Sequence, residues 1–168
     1  MESIKPTILL AFADSRNDLP ELVNERRSLE DMLTAKFNVQ SRDAMTHRRM
    51  DQFFREEGHR LRVFHFGGHA NGKQLAFLSE TGDSAAAYVR GVASLVGKQK
   101  GIALVFLNGC STQGQVETYL KEKLPAVIAT TAPVSDSVAQ QFASAFYKNF
   151  IAREGRCPLR EAFEQAKS

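Results

Sequence analysis

The sequence predicts an α/β domain in which helices cover both faces of a mostly parallel central sheet. Three observations lead to this prediction. Short apolar runs alternate with segments of helical periodicity, the pattern that strands joined by crossover helices produce. The run at residues 102–107 is continuously apolar, as expected for a strand covered on both faces. The 168 residues, of which 43% are hydrophobic, are enough for one domain with a full core.

The first half of the chain predicts three strands and two helices. The apolar run at residues 7–13 indicates a buried strand that ends at a polar loop. Pro20 then opens a helix, because Leu22, Leu29 and Leu33 recur at helical spacing. The other expected elements are a strand at 37–40, a helix at 45–57 that stops at Gly58, and a strand at 62–66 that runs into Gly67-Gly68-His69.

The second half begins with a tight-turn signal, Asn71-Gly72, so we expect residues 73–78 to fold back as a hairpin arm. The alanine-rich segment 85–96 predicts a helix that ends at Gly97. The remaining expected elements are the strand 102–107, a helix at 115–123, a strand at 126–130, an amphipathic helix at 137–152 and a last short helix opened by Pro158. No repeat or interdomain linker interrupts this pattern, which predicts a single domain over residues 1–168.

Composition and charge exclude several classes of function. The formal charge is only +3, and the basic residues are scattered among acidic ones, so we expect no direct nucleic-acid partner. No stretch approaches the roughly 20 apolar residues of a membrane span, and the N-terminus lacks a secretory signal. Two cysteines, Cys110 and Cys157, are too few for a disulfide scaffold. These features predict a cytoplasmic protein without a membrane partner.

Two residues carry recognisable chemistry: His69 and Cys110 each lie just past the end of a predicted strand. Ligands bind at the carboxyl ends of parallel strands, so both side chains reach one crevice if the strands are neighbours. An imidazole can then take the proton of the thiol, and the N-terminus of the next helix favours a thiolate. Gly109 would let a substrate backbone come close. The alternative is an inert core cysteine and a structural histidine, since geometry rather than sequence order identifies such a pair.

The segments around these residues, His65-Phe66-Gly67-Gly68-His69-Ala70 and Leu107-Asn108-Gly109-Cys110-Ser111-Thr112, resemble the histidine and cysteine signatures of the CHAT family, in the caspase–separase group. The segments at 125–130 and 133–136 and the helix through Phe142 are similar to the region downstream of the cysteine in that family. The resemblance implies a caspase-like three-layer sandwich and peptide-bond hydrolysis. It implies His69 as general base and acid, Cys110 as nucleophile, and the main-chain N–H groups of Ala70 and Cys110 as oxyanion donors. Many relatives have glycine at position 70, and alanine serves there if its φ is negative.

Substrate preference is less defined by the resemblance. In some related peptidases an acidic residue two places before the nucleophile selects basic P1 side chains, but here that residue is Asn108. Asp136 resembles an acidic residue of the S1 pocket in separase-like relatives, and an N-cap for the next helix is the alternative. Asp14, Gly68 and Gly109 are further substrate-binding candidates at the cleft.

The resemblance also implies a role in bacterial signalling or defence, with a protein or peptide substrate and a latent state relieved by an activating partner. CHAT modules are usually fused to other domains, so we expect residues 1–168 to be the N-terminal part of a longer protein. One alternative is a non-catalytic caspase-like interaction module. The other is a phosphate-binding domain that uses residues 67–73, although Gln74 replaces the expected Ser or Thr and a strand rather than a helix comes next. No metal or cofactor is expected.

Overall fold

A five-stranded parallel sheet forms the centre of the molecule. The computed structural model describes residues 4–152 and 159–168. The strands in chain order are β1 (Thr7–Ala13), β2 (Asn38–Arg42), β3 (Leu61–Gly68), β4 (Gln74–Leu78), β5 (Ser84–Tyr88), β6 (Leu104–Asn108) and β7 (Val127–Ile128). The α-helices are α1 (Glu21–Leu33), α2 (His47–Glu56), α3 (Val89–Gly97), α4 (Val116–Lys121), α5 (Asp136–Ala152) and α6 (Leu159–Ala166). The sheet has the order β2-β1-β3-β6-β7, and β4 and β5 form a separate hairpin.

The sheet is covered on both faces, as the sequence predicts. Alternate residues of β1 point to opposite faces, so that Ile8 and Leu10 enter one apolar cluster while Leu9 and Ala11 enter the other. Helices α1, α5 and α6 cover the first face, and α2, α3, α4 and the β4–β5 hairpin cover the second. The result is an α/β sandwich of the caspase-like type. Within the described ranges, every helix is too short or too polar to cross a bilayer.

The predicted helix at 85–96 is wrong over its first four residues. Residues 84–88 form β5, which pairs antiparallel with β4, and only Val89–Gly97 is helical. Alanine has a high intrinsic helix propensity, but the hydrogen bonds to β4 and the burial of Ala87 outweigh that local preference. The predicted strand at 126–130 shrinks to Val127–Ile128. Cys157 and Pro158 lie outside the described residues.

A buried polar network joins the two central strands to the helices on one face. Glu25 of α1 is 1% exposed, and its Oε1 accepts hydrogen bonds from His65 Nε2 at 2.7 Å and Asn108 Nδ2 at 2.9 Å. Asn108 also donates to the carbonyl oxygen of Ala139 at 3.1 Å. Burial, together with the charge of Glu25, raises the pKa of the Tyr147 hydroxyl, which stays protonated and donates to His65 Nδ1 at 3.0 Å. One carboxylate therefore holds β3, β6 and α1 in a fixed relation.

Replacing Glu25 with alanine tests how much this network stabilises the fold. The substitution leaves the N–H of His65 and the amide of Asn108 without their shared acceptor, so we expect a loss of roughly 2–4 kcal/mol in the free energy of unfolding. Urea denaturation measures it. Asp31→Ala, on the exposed side of the same helix, is the control and should change stability little. Equal stabilities for the two variants would show that the network contributes nothing.

Candidate active site

His69 and Cys110 leave adjacent strands at the same level of the sheet. β3 and β6 are hydrogen-bonded neighbours, and Gly67 is the register partner of Asn108. His69 and Cys110 each lie two residues beyond that pair. Both are partly buried at the carboxyl edge of the sheet. The strands that carry the two residues are thus neighbours, which is the condition for both side chains to reach one crevice.

Two glycines let the loops that come after these strands touch. A Cβ on Gly109 would lie 2.8 Å from both the Cβ of Ala70 and the carbonyl oxygen of Gly68, closer than side chains approach one another. Gly68 has a φ of +154°, in the region that favours glycine, and a Cβ there would meet the carbonyl oxygen of Ala13. Both substrate-binding candidates therefore have a packing role, because they bring the histidine and cysteine loops together.

A pair of threonines fixes the main chain around Cys110. The hydroxyl of Thr130, just beyond β7, donates to the carbonyl oxygen of Gly109 and accepts from the N–H of Thr112 at 3.3 Å. The N–H of Thr130 in turn donates to Oγ1 of Thr112 at 3.0 Å. Ser111, which lies between Cys110 and Thr112, takes a left-handed conformation with φ 53°. The residues after Ile128 serve this clamp instead of the sheet, which explains why β7 is shorter than predicted.

The thiol and the imidazole have separate partners in this structure. Cys110 Sγ donates to the carbonyl oxygen of Val134 at 3.7 Å. His69 Nε2 lies 2.6 Å from Oδ1 of Asp18 and 3.8 Å from Oδ1 of Asp14. No hydrogen bond joins His69 to Cys110, both of which belong to the described part of the chain. The structure brings their strands and loops together but leaves the two reactive groups unengaged with each other.

Asp18 is a site residue that was not predicted from the sequence. Asp14 shapes its loop, because the Asp14 carboxylate accepts the N–H groups of Asp18 at 3.2 Å and Leu19 at 2.9 Å. The hydrogen bond from His69 is the main cause that lowers the pKa of Asp18, against a smaller opposing effect of desolvation. The polar stretch directly after β1, at the same edge as His69, was the available signal. Donor atoms of Asp14, Asp18 and His69 lie within 4.8 Å of one another, close enough to share a cation.

The N–H of Ala70 is directed away from the hairpin. Ala70 forms an antiparallel bridge with Leu75, and the residues on either side make its hydrogen bonds. These run from Asn71 N–H to the Gln74 oxygen and from Ala76 N–H to the His69 oxygen. The φ of Ala70 is negative, as a backbone donor there requires. Among residues 4–152 and 159–168, the N–H groups of Ala70 and Cys110 have no hydrogen-bond acceptor. Both main-chain donors are therefore left free by the described groups of the protein.

Asn108 is a structural residue more than a recognition element. Its side chain is 6% exposed, and its amide donates to Glu25 and to the carbonyl oxygen of Ala139. The residue at the position that selects basic side chains in some relatives therefore forms its hydrogen bonds inside the protein. A contribution to substrate binding is limited to the small part of Asn108 that reaches the surface.

Asp136 caps a helix, but a different one from the helix predicted from the sequence. Its Oδ2 accepts the N–H of Glu21, the first residue of α1, at 2.7 Å. The N-cap of α5 is Ser135, whose hydroxyl accepts the N–H of Val138 at 3.2 Å. Partial burial raises the pKa of Asp136, although the hydrogen bond from Glu21 opposes it. The carboxylate therefore fixes the start of α1 against α5.

An apolar cavity of about 520 Å³ lies beside Cys110, between the carboxyl ends of β6 and β7 and the helices α5 and α6. Most of its wall is hydrophobic, formed chiefly by Phe106, Ile128, Val134, Val138, Phe142 and Phe163. Val134 accepts the Cys110 thiol, and Thr130, also in the wall, binds the carbonyl of Gly109. Two residues of the cavity wall thus contact the segment that carries Cys110.

The structure does not favour the phosphate-binding alternative. Gly67 and Gly68 end β3, and the element after the loop is the strand β4 instead of a helix. The side chain of Asn71 accepts the N–H groups of Lys73 at 2.8 Å and Gln74 at 3.0 Å. The N–H groups of Lys73 and Gln74 are therefore engaged within the turn, and the strand that follows supplies no helix N-terminus for a phosphate.

Comparison with protein-family models matches residues 3–168 to the CHAT domain. Comparison with curated proteins finds no significant match.

Substituting Gly109 tests whether the contact between the two loops is as tight as the geometry indicates. Gly109→Ala forces a methyl group against Ala70 and the Gly68 carbonyl, so we expect a loss of about 1–3 kcal/mol in the free energy of unfolding. Gly91→Ala is the matched control, since a Cβ there meets nothing within 4 Å and the residue is helical. That control should gain about 0.5–1 kcal/mol. Similar urea midpoints for both variants would contradict the packing role of Gly109.

Proposed function

Because the chain belongs to the CHAT family, which is related to caspase-like peptidases, we propose that it is a cysteine endopeptidase. Cys110 is the nucleophile, and His69 is the general base and then the general acid. One observation carries the proposal: the two residues come directly after a register-matched stretch at the end of adjacent parallel strands, and their loops are in contact.

The proposed reaction uses groups already present at this edge of the sheet. His69 takes the thiol proton, and the Cys110 thiolate attacks the scissile carbonyl carbon. The N–H groups of Ala70 and Cys110 stabilise the oxyanion that forms. The tetrahedral intermediate collapses to a thioester as His69 protonates the leaving amine, and water then hydrolyses the thioester with His69 again as the base.

For the pair to engage, the Cys110 thiol has to leave its present partner. Its bond to the Val134 carbonyl is a weak S–H···O contact of 3.7 Å, and rotation about χ1 of Cys110 releases it. We propose that this open arrangement is a latent state, which substrate or an activating partner converts to the engaged one. The same separation also favours the second candidate, a non-catalytic caspase-like interaction module, which would keep the pair permanently apart.

The cavity beside Cys110 supports a substrate class: peptides with a large apolar P1 side chain. The amide of Asn108 and the carboxylate of Asp136 are engaged inside the protein, so neither is free to select a charged residue. Among the described residues that line the cavity, Lys167 is the one charged residue, and it interacts with Glu164 at 3.2 Å. Apolar lining and lack of a free charge fit a leucine, methionine or phenylalanine side chain.

The wider setting of the proposal comes from the family. We propose that residues 1–168 act as one peptidase domain on a protein substrate, in a bacterial signalling or defence pathway in the cytoplasm. An activating partner or further fused domains would control it. The scattered surface charge supports the absence of a direct nucleic-acid partner.

Labelling with a peptidyl acyloxymethyl ketone tests the peptidase proposal. We expect covalent modification of Cys110, detected by mass spectrometry, and a rate at least about a hundredfold slower in His69→Ala. His59→Ala removes an exposed histidine as the control and should not change the rate. Cys110→Ala shows any labelling at Cys157. The rates of peptide cleavage should rank the wild-type protein and these variants in the same order as the labelling rates. If Cys110 stays unmodified even with peptide substrates and cell extract present as activators, the chain is an interaction module.

A P1 library tests the substrate class. Leucine, methionine and phenylalanine should exceed aspartate and arginine in kcat/KM by roughly 10–100-fold, the gain expected from burying a large apolar side chain. Ala139→Leu narrows the cavity and should lower kcat/KM for these residues while sparing P1 alanine. Ala152→Leu, at the exposed end of the same helix, is the control. A preference for charged P1 residues would refute the proposed apolar substrate class but would not contradict the proposed roles of His69 and Cys110.

A further inference from the structure

The His69 imidazole has an acidic partner that a two-residue mechanism does not require. Its Nε2 lies 2.6 Å from Oδ1 of Asp18, a short, charge-assisted distance. The side chain of Asp18 is 52% exposed and could have pointed to solvent. Instead the Asp14 carboxylate holds the main chain of the loop through the N–H groups of Asp18 and Leu19. The loop is thus built so that the Asp18 carboxylate meets the ring.

We infer that Asp18 is a positioning residue that fixes the orientation and tautomer of His69, an assignment that rests on the proposed peptidase function. The ionised carboxylate accepts only, so Nε2 must carry the hydrogen of this bond. In the neutral ring the lone pair is then on Nδ1. Nδ1 is therefore the nitrogen that takes the proton of Cys110, while Nε2–H stays bound to Asp18.

The same contact acts on the charge that develops during the reaction. When Nδ1 takes the thiol proton, the imidazolium faces the Asp18 carboxylate at 2.6 Å, with the Asp14 carboxylate at 3.8 Å as a second negative group. Arg16 is the nearby positive charge that acts on Asp18. The lowered pKa of Asp18, caused first by the bond to His69, keeps the carboxylate ionised at neutral pH. The carboxylate therefore stabilises the thiolate–imidazolium pair relative to the neutral pair.

The rate of Cys110 alkylation by iodoacetamide, measured from pH 5 to pH 10.5, tests the inference. The protein carries Cys157→Ser, so that Cys110 is its only thiol, and the buffer contains EDTA to exclude a shared cation. In Asp18→Asn the imidazolium loses its charged partner, so alkylation at pH 7 should fall about tenfold. At pH 10 and above the thiol ionises without His69, and the variant should regain the wild-type rate. Asp31→Asn is the control, and Asp18→Glu should restore part of the neutral-pH rate.

A second measurement does not depend on reactivity. Nitrogen-15 chemical shifts of His69 in Cys110→Ala protein should show the Nε2–H tautomer, and Asp18→Asn should shift the ring towards a mixture. An Nδ1–H tautomer in the protein with Asp18 intact would overturn the inference.

The outcomes separate this inference from the proposed function. If Cys110 never exceeds the reactivity of free cysteine at neutral pH, the peptidase proposal fails and the inference falls with it. If Cys110 is reactive but Asp18→Asn matches the wild-type rate at every pH, only the role of Asp18 is refuted. A rate that falls equally at pH 7 and pH 10 would assign Asp18 a purely structural role and also overturn the inference.

Discussion

The buried carboxylate of Glu25 is the constraint on which the arrangement of the site depends. It accepts from His65 on β3 and Asn108 on β6, which lie a few residues before His69 and Cys110 respectively. A buried acceptor must be satisfied, so a slip of either strand would leave polar groups unpaired in the core. The network thereby specifies the register that places the ends of the two strands side by side. His65 and Asn108 belong to the same motifs as His69 and Cys110, yet their roles are structural.

Beyond that network, close contacts of the main chain fix the loops that follow β3 and β6. Gly68 and Gly109 remove the side chains that would hold the loops apart, and the hydroxyl of Thr130 binds the carbonyl next to Cys110. The backbone of the nucleophile candidate is thus rigidly held, while its thiol remains free to change partner. This division fits the proposed latent peptidase, whose activation would change the side-chain partner of Cys110 and leave its backbone in place.

The sequence predicted the parts of the fold that depend on local pattern. Residues 7–13 are a strand with the predicted bounds, and the alternation of strands and helices correctly indicated a parallel sheet with two covered faces. Prediction failed where contacts with other segments of the chain determine the local structure. Residues 85–88, for example, pair with β4 despite their helix propensity. Asp136 binds a residue 115 positions away, and Asp18 meets His69 across 51. No local pattern encodes such contacts, so the positions of both carboxylates had to come from the structure.

The balance between buried and exposed hydrogen bonds decides which part of the molecule can move. Glu25 and His65 are almost completely buried, so displacing α1 would uncover unsatisfied groups, at a cost of roughly 1–3 kcal/mol for each. The bond of the Cys110 thiol to Val134 is weak and only partly buried, so exchanging it for a bond to His69 costs little. The bond between His69 and Asp18 is exposed on the carboxylate side, is assisted by the charge of the carboxylate and engages Nε2 rather than Nδ1. The thiol at the sheet edge can therefore change its partner while the core, the register and the first turn of α1 remain as they are.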